Sequence, residues 1–159
     1  MNDVLPKAQE TVAELLERGR KLRGGSIEER SQYALDLIAM HLQEENPVRI
    51  DECIKLYTPD AIWEAPARGV TYKGRESIKK NYVRIFHNTE DFAFEPIDRY
   101  ATPDRVFVDA WARFRITGDG FDNCPFPIGT KVNMRLLHSF FIEDGLISRE
   151  NGYEVWLRG

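Results

Sequence analysis

Cysteine is scarce in this chain. Its two thiols, Cys53 in a predicted helix and Cys124 in a loop rich in Gly, Asp and Pro, make neither a C-x-x-C pair nor any metal-ligand spacing. Both read as structural thiols, so neither a metal centre nor any other cofactor is expected. Long apolar runs are also missing: none reaches the ~17–25 residues of a membrane span. Met1 to Lys7 lack the basic start and apolar stretch of a secretory signal, so the expectation is a cytoplasmic protein that does not engage membranes. Positive charge is dilute. The 22 basic residues lie scattered among 26 acidic ones, for a net charge of -4, which speaks against a nucleic-acid partner because phosphate contacts need concentrated positive charge. Repeats, low-complexity tracts and long linkers are absent as well. What remains is 159 residues, 42% hydrophobic, enough for one substantial core and one domain with an added element.

That added element is residues 1–25. Val12, Leu15, Leu16 and Leu22 recur among charges from Lys7 to Arg23, and Gly24-Gly25 stops the helix. The main domain, 26–159, opens with Ser26 as a helix cap ahead of Glu28 and Glu29. Its first helix carries Ala34, Leu37, Ile38, His41 and Leu42 on one face as far as Asn46-Pro47. A short helix bearing Ile50, Cys53, Ile54 and Tyr57 follows, broken by Thr58-Pro59-Asp60. Ala61 to Ala65 and Val70 to Tyr72 read as short strands, and Gly74-Arg75-Glu76 starts a helix with Ile78, Tyr82, Ile85 and Phe86. Four long antiparallel strands complete the chain: Phe92 to Ala101, Arg105 to Thr117, Lys131 to Glu143 and Leu146 to Trp156. Helices first and strands after is an α+β pattern, with helices covering one face of an antiparallel sheet.

The last hairpin carries the chemistry. Val132, Met134, Leu136, His138, Phe140 and Ile142 share one face of their strand, so His138 interrupts an apolar surface. A three-residue loop with Gly145 in the left-handed position pairs Ile142 with Leu146 and sets Glu150 directly across from His138. A carboxylate there holds the imidazole's tautomer and raises its pKa. The competing interpretation is a core histidine bonded to a backbone carbonyl, with Glu150 reaching solvent. On the strand before, Phe107, Asp109, Trp111, Arg113 and Arg115 form a face too aromatic for plain solvent. This face suits a homodimer interface with an Asp109–Arg113 ion pair, or else a covering by the N-terminal helix.

Three stretches carry a family resemblance: Leu56-Tyr57-Thr58-Pro59-Asp60-Ala61-Ile62-Trp63-Glu64-Ala65-Pro66, Tyr72-Lys73-Gly74-Arg75-Glu76-Ser77-Ile78, and Phe140 to Glu150 around the Glu-Asp-Gly turn. From Ser26 to Trp156 the chain resembles the SnoaL-like families of the nuclear transport factor two-like superfamily. The resemblance implies a conical α+β barrel of three helices on a strongly bent sheet. It also implies a reaction of the cyclase, isomerase, epoxide hydrolase or dehydratase type, or ligand binding without catalysis. Asn133 to Phe140 is most similar to the phenazine-biosynthesis A and B proteins, whose helix histidine and serine fall here on Asn81 and Ile85 and whose late glutamate falls on Gly152. The base of ketosteroid isomerase falls on Ala65, beside Glu64, and the epoxide-hydrolase aspartate also falls on Gly152.

The expected function is a cofactor-free acid–base reaction on a small cyclic or aromatic carbonyl compound, or non-catalytic binding of such a molecule. His138, Glu150 and Glu64 are the candidate catalytic groups. Glu64 enters the pocket if the alternation runs from Ile62 and stays outside if it runs from Trp63. Tyr57, Trp63, Tyr82, Phe86, Phe140 and His41 are candidate ligand contacts. His41 could also be a packing or capping residue, and His87, closing a helix, reads as structural.

Overall fold

The computed structural model describes residues 10–159, so the reading of Met1 to Lys7 lies outside the described residues. Helix α1 (Val12–Lys21) falls within the segment expected as an added element. Thr11 and Glu14 close a capping box at its start, and Val12, Leu15 and Gly19 are buried. A Cβ on Gly19 would overlap the Tyr33 ring, so glycine lets α1 lie directly on the next helix. The Tyr33 hydroxyl donates to the Gly145 carbonyl at 2.7 Å, which ties both helices to the tip of the last hairpin. Helix α1 therefore docks at the end of the domain and leaves the outer sheet face uncovered.

Helix α2 (Ile27–Glu44) begins at a second capping box, Ser26 with Glu29, and buries Tyr33, Ala34, Leu37, Ile38, Met40, His41 and Glu44. After α3 (Ile50–Ile54) come β1 (Tyr57–Ala65), β2 (Val70–Lys73) and α4 (Arg75–His87). Strands β3 (Thr89–Thr102), β4 (Arg105–Ile116), β5 (Lys131–Glu143) and β6 (Leu146–Arg158) complete the chain. Tyr57, expected at the end of α3, instead opens β1, because pairing with Ile147 of β6 starts there.

The six strands form one mixed sheet in the order β2-β1-β6-β5-β4-β3. All neighbours run antiparallel except β1 and β6, which are parallel. The sheet stays open, with β2 and β3 as its edges, so the cone is not a closed barrel. Its inner face alternates as the sequence indicates: Val106, Val108, Ala110, Ala112, Phe114 and Ile116 of β4 are all buried. Trp63, Glu150, Phe140 and Val106 form one row across that face, and Gly152, His138 and Val108 the next.

Candidate functional site

The β5–β6 register differs from the expected one. Asp144 and Gly145, both with positive φ, make a two-residue turn that pairs Glu143 with Leu146. Continued without interruption, that register would set Glu150 against Ser139 and turn it outward. A bulge intervenes: Ile142 faces Ile147 but Phe141 faces Arg149, so Ser148 is the extra residue. Together the shorter turn and the bulge shift the pairing by two positions, which preserves the face. Glu150 points inward, opposite Phe140, and His138 is opposite Gly152. The two side chains then meet on the diagonal, with His138 Nε2 3.5 Å from Glu150 Oε1.

Glu150 is fully buried and surrounded by donors. The Tyr57 hydroxyl donates to its Oε2, and the Tyr82 hydroxyl lies 3.1 and 3.0 Å from its two oxygens. Trp63 Nε1 donates to the Tyr82 hydroxyl at 3.3 Å. On the helix side, His41 Nε2 lies 3.7 Å from Glu150 Oε1 and 3.2 Å from Glu45 Oε2, and His41 Nδ1 lies 3.2 Å from Cys53 Sγ. Burial opposes ionisation of Glu150, yet the charge and contact of His41, the charge of His138 and the Tyr57 hydrogen bond pull its pKa down to about 2. Burial also opposes a charge on His41, but Cys53 and Glu150 hold it well above the usual imidazole value. Burial pushes the Cys53 thiol up, so at neutral pH the standing anion beside His41 is Glu150. Burial and then Glu150 push both tyrosines well above the usual phenol value, so they remain donors.

A cavity of about 60 Å3 adjoins this cluster. Trp63, Tyr82, His138, Glu150 and Glu45 line its polar end, and Phe92, Phe94, Phe114, Met134 and Leu136 its apolar wall. Nδ1 of His138 has no hydrogen-bond partner. Phe121, from the β4–β5 connection, covers the cavity and packs edge-on against Trp156. Arg68 stacks over Phe121 and forms a buried, two-pronged ion pair with Glu154 at 2.9 and 3.1 Å. Asp122 fastens the connection, accepting from the Tyr72 hydroxyl and pairing with Arg84 at 2.8 Å. A larger cleft, about 320 Å3, lies between α1 and the hairpin turns. Charges of both signs border it, and its buried hydroxyl, on Tyr33, is already bonded, so the smaller cavity is the chemically equipped one.

Of the residues singled out in the sequence, His138, Glu150, Trp63 and Tyr82 line the cavity. Tyr57, His41 and Phe140 stand behind it: Tyr57 and His41 hold Glu150, and Phe140 packs between the His41 and His138 rings. Phe86 stacks on Tyr82 and is set back from the cavity. Glu64 is not in the site. The buried positions of β1 are Tyr57, Ala61, Trp63 and Ala65, which turns Glu64 to the other face, 3.3 Å from Arg149. Asp109 pairs with Arg135, at 2.6 Å, instead of Arg113, which reaches Glu95. Cross-strand diagonals bring Arg135 to Asp109, whereas Arg113 lies along the same strand. Sequence reasoning missed Arg68, Glu154 and Phe121, which sit in turn and strand-end positions without a motif. Glu45 had one signal, its place four residues after His41 on a helix. Among the described residues, no group of three or more His, Cys, Asp and Glu side chains is placed to hold a metal ion, and no helix is long and apolar enough to cross a membrane.

The fold is an α+β cone whose open sheet holds a buried histidine–carboxylate contact. Residues 38–150 match the SnoaL-like domain, and the chain belongs to that family. No curated protein matches it. Among solved structures it is similar to a phenazine biosynthesis-related protein from Pseudomonas aeruginosa, with a TM-score of 0.64 and 16% identity over 97% of this chain and 85% of that one. A putative SnoaL-like polyketide cyclase from Shewanella putrefaciens CN-32 also gives a TM-score of 0.64 at 16% identity, covering 76% of this chain and 88% of that one. An epoxide hydrolase from M. tuberculosis gives 0.62 at 14% identity, over 79% and 84%. These TM-scores show a shared fold and, at such low identity, the fold alone. The 97% coverage extends that likeness over α1.

Proposed function

We propose that this protein is a cofactor-free acid–base enzyme of the cyclase, isomerase or dehydratase type, with a small cyclic or aromatic carbonyl compound in the cone and His138 as the proton-transfer group. The carrying observation is the His138–Glu150 contact beside the cavity, with the far nitrogen of His138 unpartnered. A carboxylate at Nε2 favours the tautomer with its proton there, which leaves a lone pair on Nδ1. That nitrogen takes a proton from the carbon next to the carbonyl and returns it to another carbon or to a departing hydroxyl. The cavity is well below the ~300 Å3 of ordinary ligand pockets, so substrate entry displaces Phe121 and its connection.

A second reading, ligand binding without turnover, is favoured by Gly152 opposite His138 and by the buried Ala65. Neither residue supplies an acid or base at positions where the family resemblance implies one. Deuterium uptake from D2O at the α-carbon of cyclic ketones, followed by NMR, separates the two. Catalysed exchange that falls roughly 100-fold or more in His138→Gln supports the enzyme, whereas binding with no exchange in the native protein supports the module.

We further propose a cytoplasmic homodimer. Both cysteines are free thiols, as suits a reducing compartment. The outer sheet face presents Tyr100, Leu137, Tyr153 and Val155 exposed around Phe107 and Trp111, with Arg135 stacked over Trp111.

A further inference from the structure

Behind the cavity-lining histidine stands another one that the acid–base reading does not use. His41 is completely buried in the last turn of α2. Every charged or titratable side chain facing it is identifiable. Glu45 from α2 and Glu150 from β6 flank Nε2, at 3.2 and 3.7 Å. Cys53 from α3 faces Nδ1 at 3.2 Å. Tyr57 from β1 and Tyr82 from α4 present their rings edge-on, with Phe140 from β5 as the apolar neighbour, and His138 from β5 reaches the same Glu150 oxygen.

We propose that His41 is a positioning residue, a buried cation lodged between Glu45 and Glu150 that keeps Glu150 a carboxylate and so fixes the ring of His138. The claim about His138 rests on the acid–base reading above, while the claim about charge stands without it. Two carboxylates at one nitrogen favour a proton there. The carbonyl end of α2 favours a cation in its last turn. Cys53 Sγ also lies 3.7 Å from the His41 carbonyl, so the thiol hydrogen has an acceptor of its own and leaves a sulfur lone pair for a proton on Nδ1. The rival arrangement is a neutral His41 that accepts the thiol hydrogen at Nδ1. Both forms fit the heavy-atom positions, and they differ by one proton. Raised basicity of the imidazole agrees with the charged form.

Nitrogen-15 NMR of the intact protein distinguishes the two. The chain has three histidines, so single His→Gln variants assign the signals. At pH 7 both His41 nitrogens should be protonated, and a neutral ring there overturns the proposal. In His41→Gln, carbon-13 titration of the Glu150 carboxyl should rise from about 2 towards the ordinary 4.5, because burial remains while the largest compensating charge, that of His41, is gone. An unchanged midpoint in a folded variant also overturns it, and if the variant does not fold the native nitrogen spectrum decides. Neither readout needs turnover, so a protein that only binds ligands would leave this test intact. If exchange is catalysed, its pH profile in His41→Gln gains an acidic limb at the new Glu150 midpoint, while a His41 that only fills space leaves the profile unmoved.

Discussion

His138 and Glu150 meet across the diagonal of the β5–β6 ladder, 3.5 Å from Nε2 to Oε1, with Gly152 directly opposite the histidine. A side chain at the opposite position would stand between the ring and the rest of the cavity. With glycine there, a Cβ would lie only 4.0 Å from Nε2 and 3.6 Å from Leu136, and that volume is left empty. The diagonal contact therefore leaves one flank of the imidazole clear.

The bulge at Ser148 can be tested by removing it. Deleting Ser148 removes the extra residue, so Arg149 follows Ile147 opposite Phe141 and Glu150 stays opposite Phe140 on the inner face, beside His41, Tyr57 and Tyr82. The deletion variant should therefore keep the low Glu150 midpoint of about 2, read by carbon-13 titration of the carboxyl. A Glu150 carboxyl that titrates in the ordinary carboxylate range in the folded deletion variant would refute this account of the register.

Stability should depend on pH through the same cluster. Glu150 has a folded pKa near 2 against an ordinary 4.5, so its contribution is full above about 4.5 and disappears as pH falls towards 2. The folded pKa of His41 is raised above 6.5, so its contribution is full below 6.5 and fades as pH rises through the folded value. Thermal unfolding across the pH range should accordingly show a maximum between these limits, and Glu150→Gln should flatten both sides. Equal slopes in the two proteins would contradict the assignment.

Phe121 should govern access to the cavity. Phe121→Ala removes a ring that is 6% exposed and should destabilise the fold by about 3–5 kcal/mol, while increasing binding of an apolar fluorescent probe. Loss of stability without any gain in binding would show that the ring serves packing only.

The outer face should govern assembly. Trp111→Glu places a carboxylate in the aromatic patch and should convert the dimer to a monomer in sedimentation velocity at micromolar concentration, leaving the melting profile of the monomer cooperative. A native chain already monomeric under those conditions removes the dimer proposal.

Much of this molecule follows from local pattern. Apolar spacing at 3.6 residues marks α2 and α4, a capping residue fixes where α2 starts, and period-two alternation fixes β4 and β5 with their inner faces. These signals survive because each depends on residues close in the chain. Alternation also placed His138 and Glu150 on one face, a conclusion that holds because the real register differs from the simple one by two residues and keeps parity. The tertiary structure alone decided the rest. It turned Glu64 outward through the pairing of β1, exchanged Arg113 for Arg135 beside Asp109, and brought His41 from a helix to a carboxylate on the last strand. Contacts between residues a hundred positions apart depend on how a sheet wraps around a helix, and no local periodicity encodes that distance.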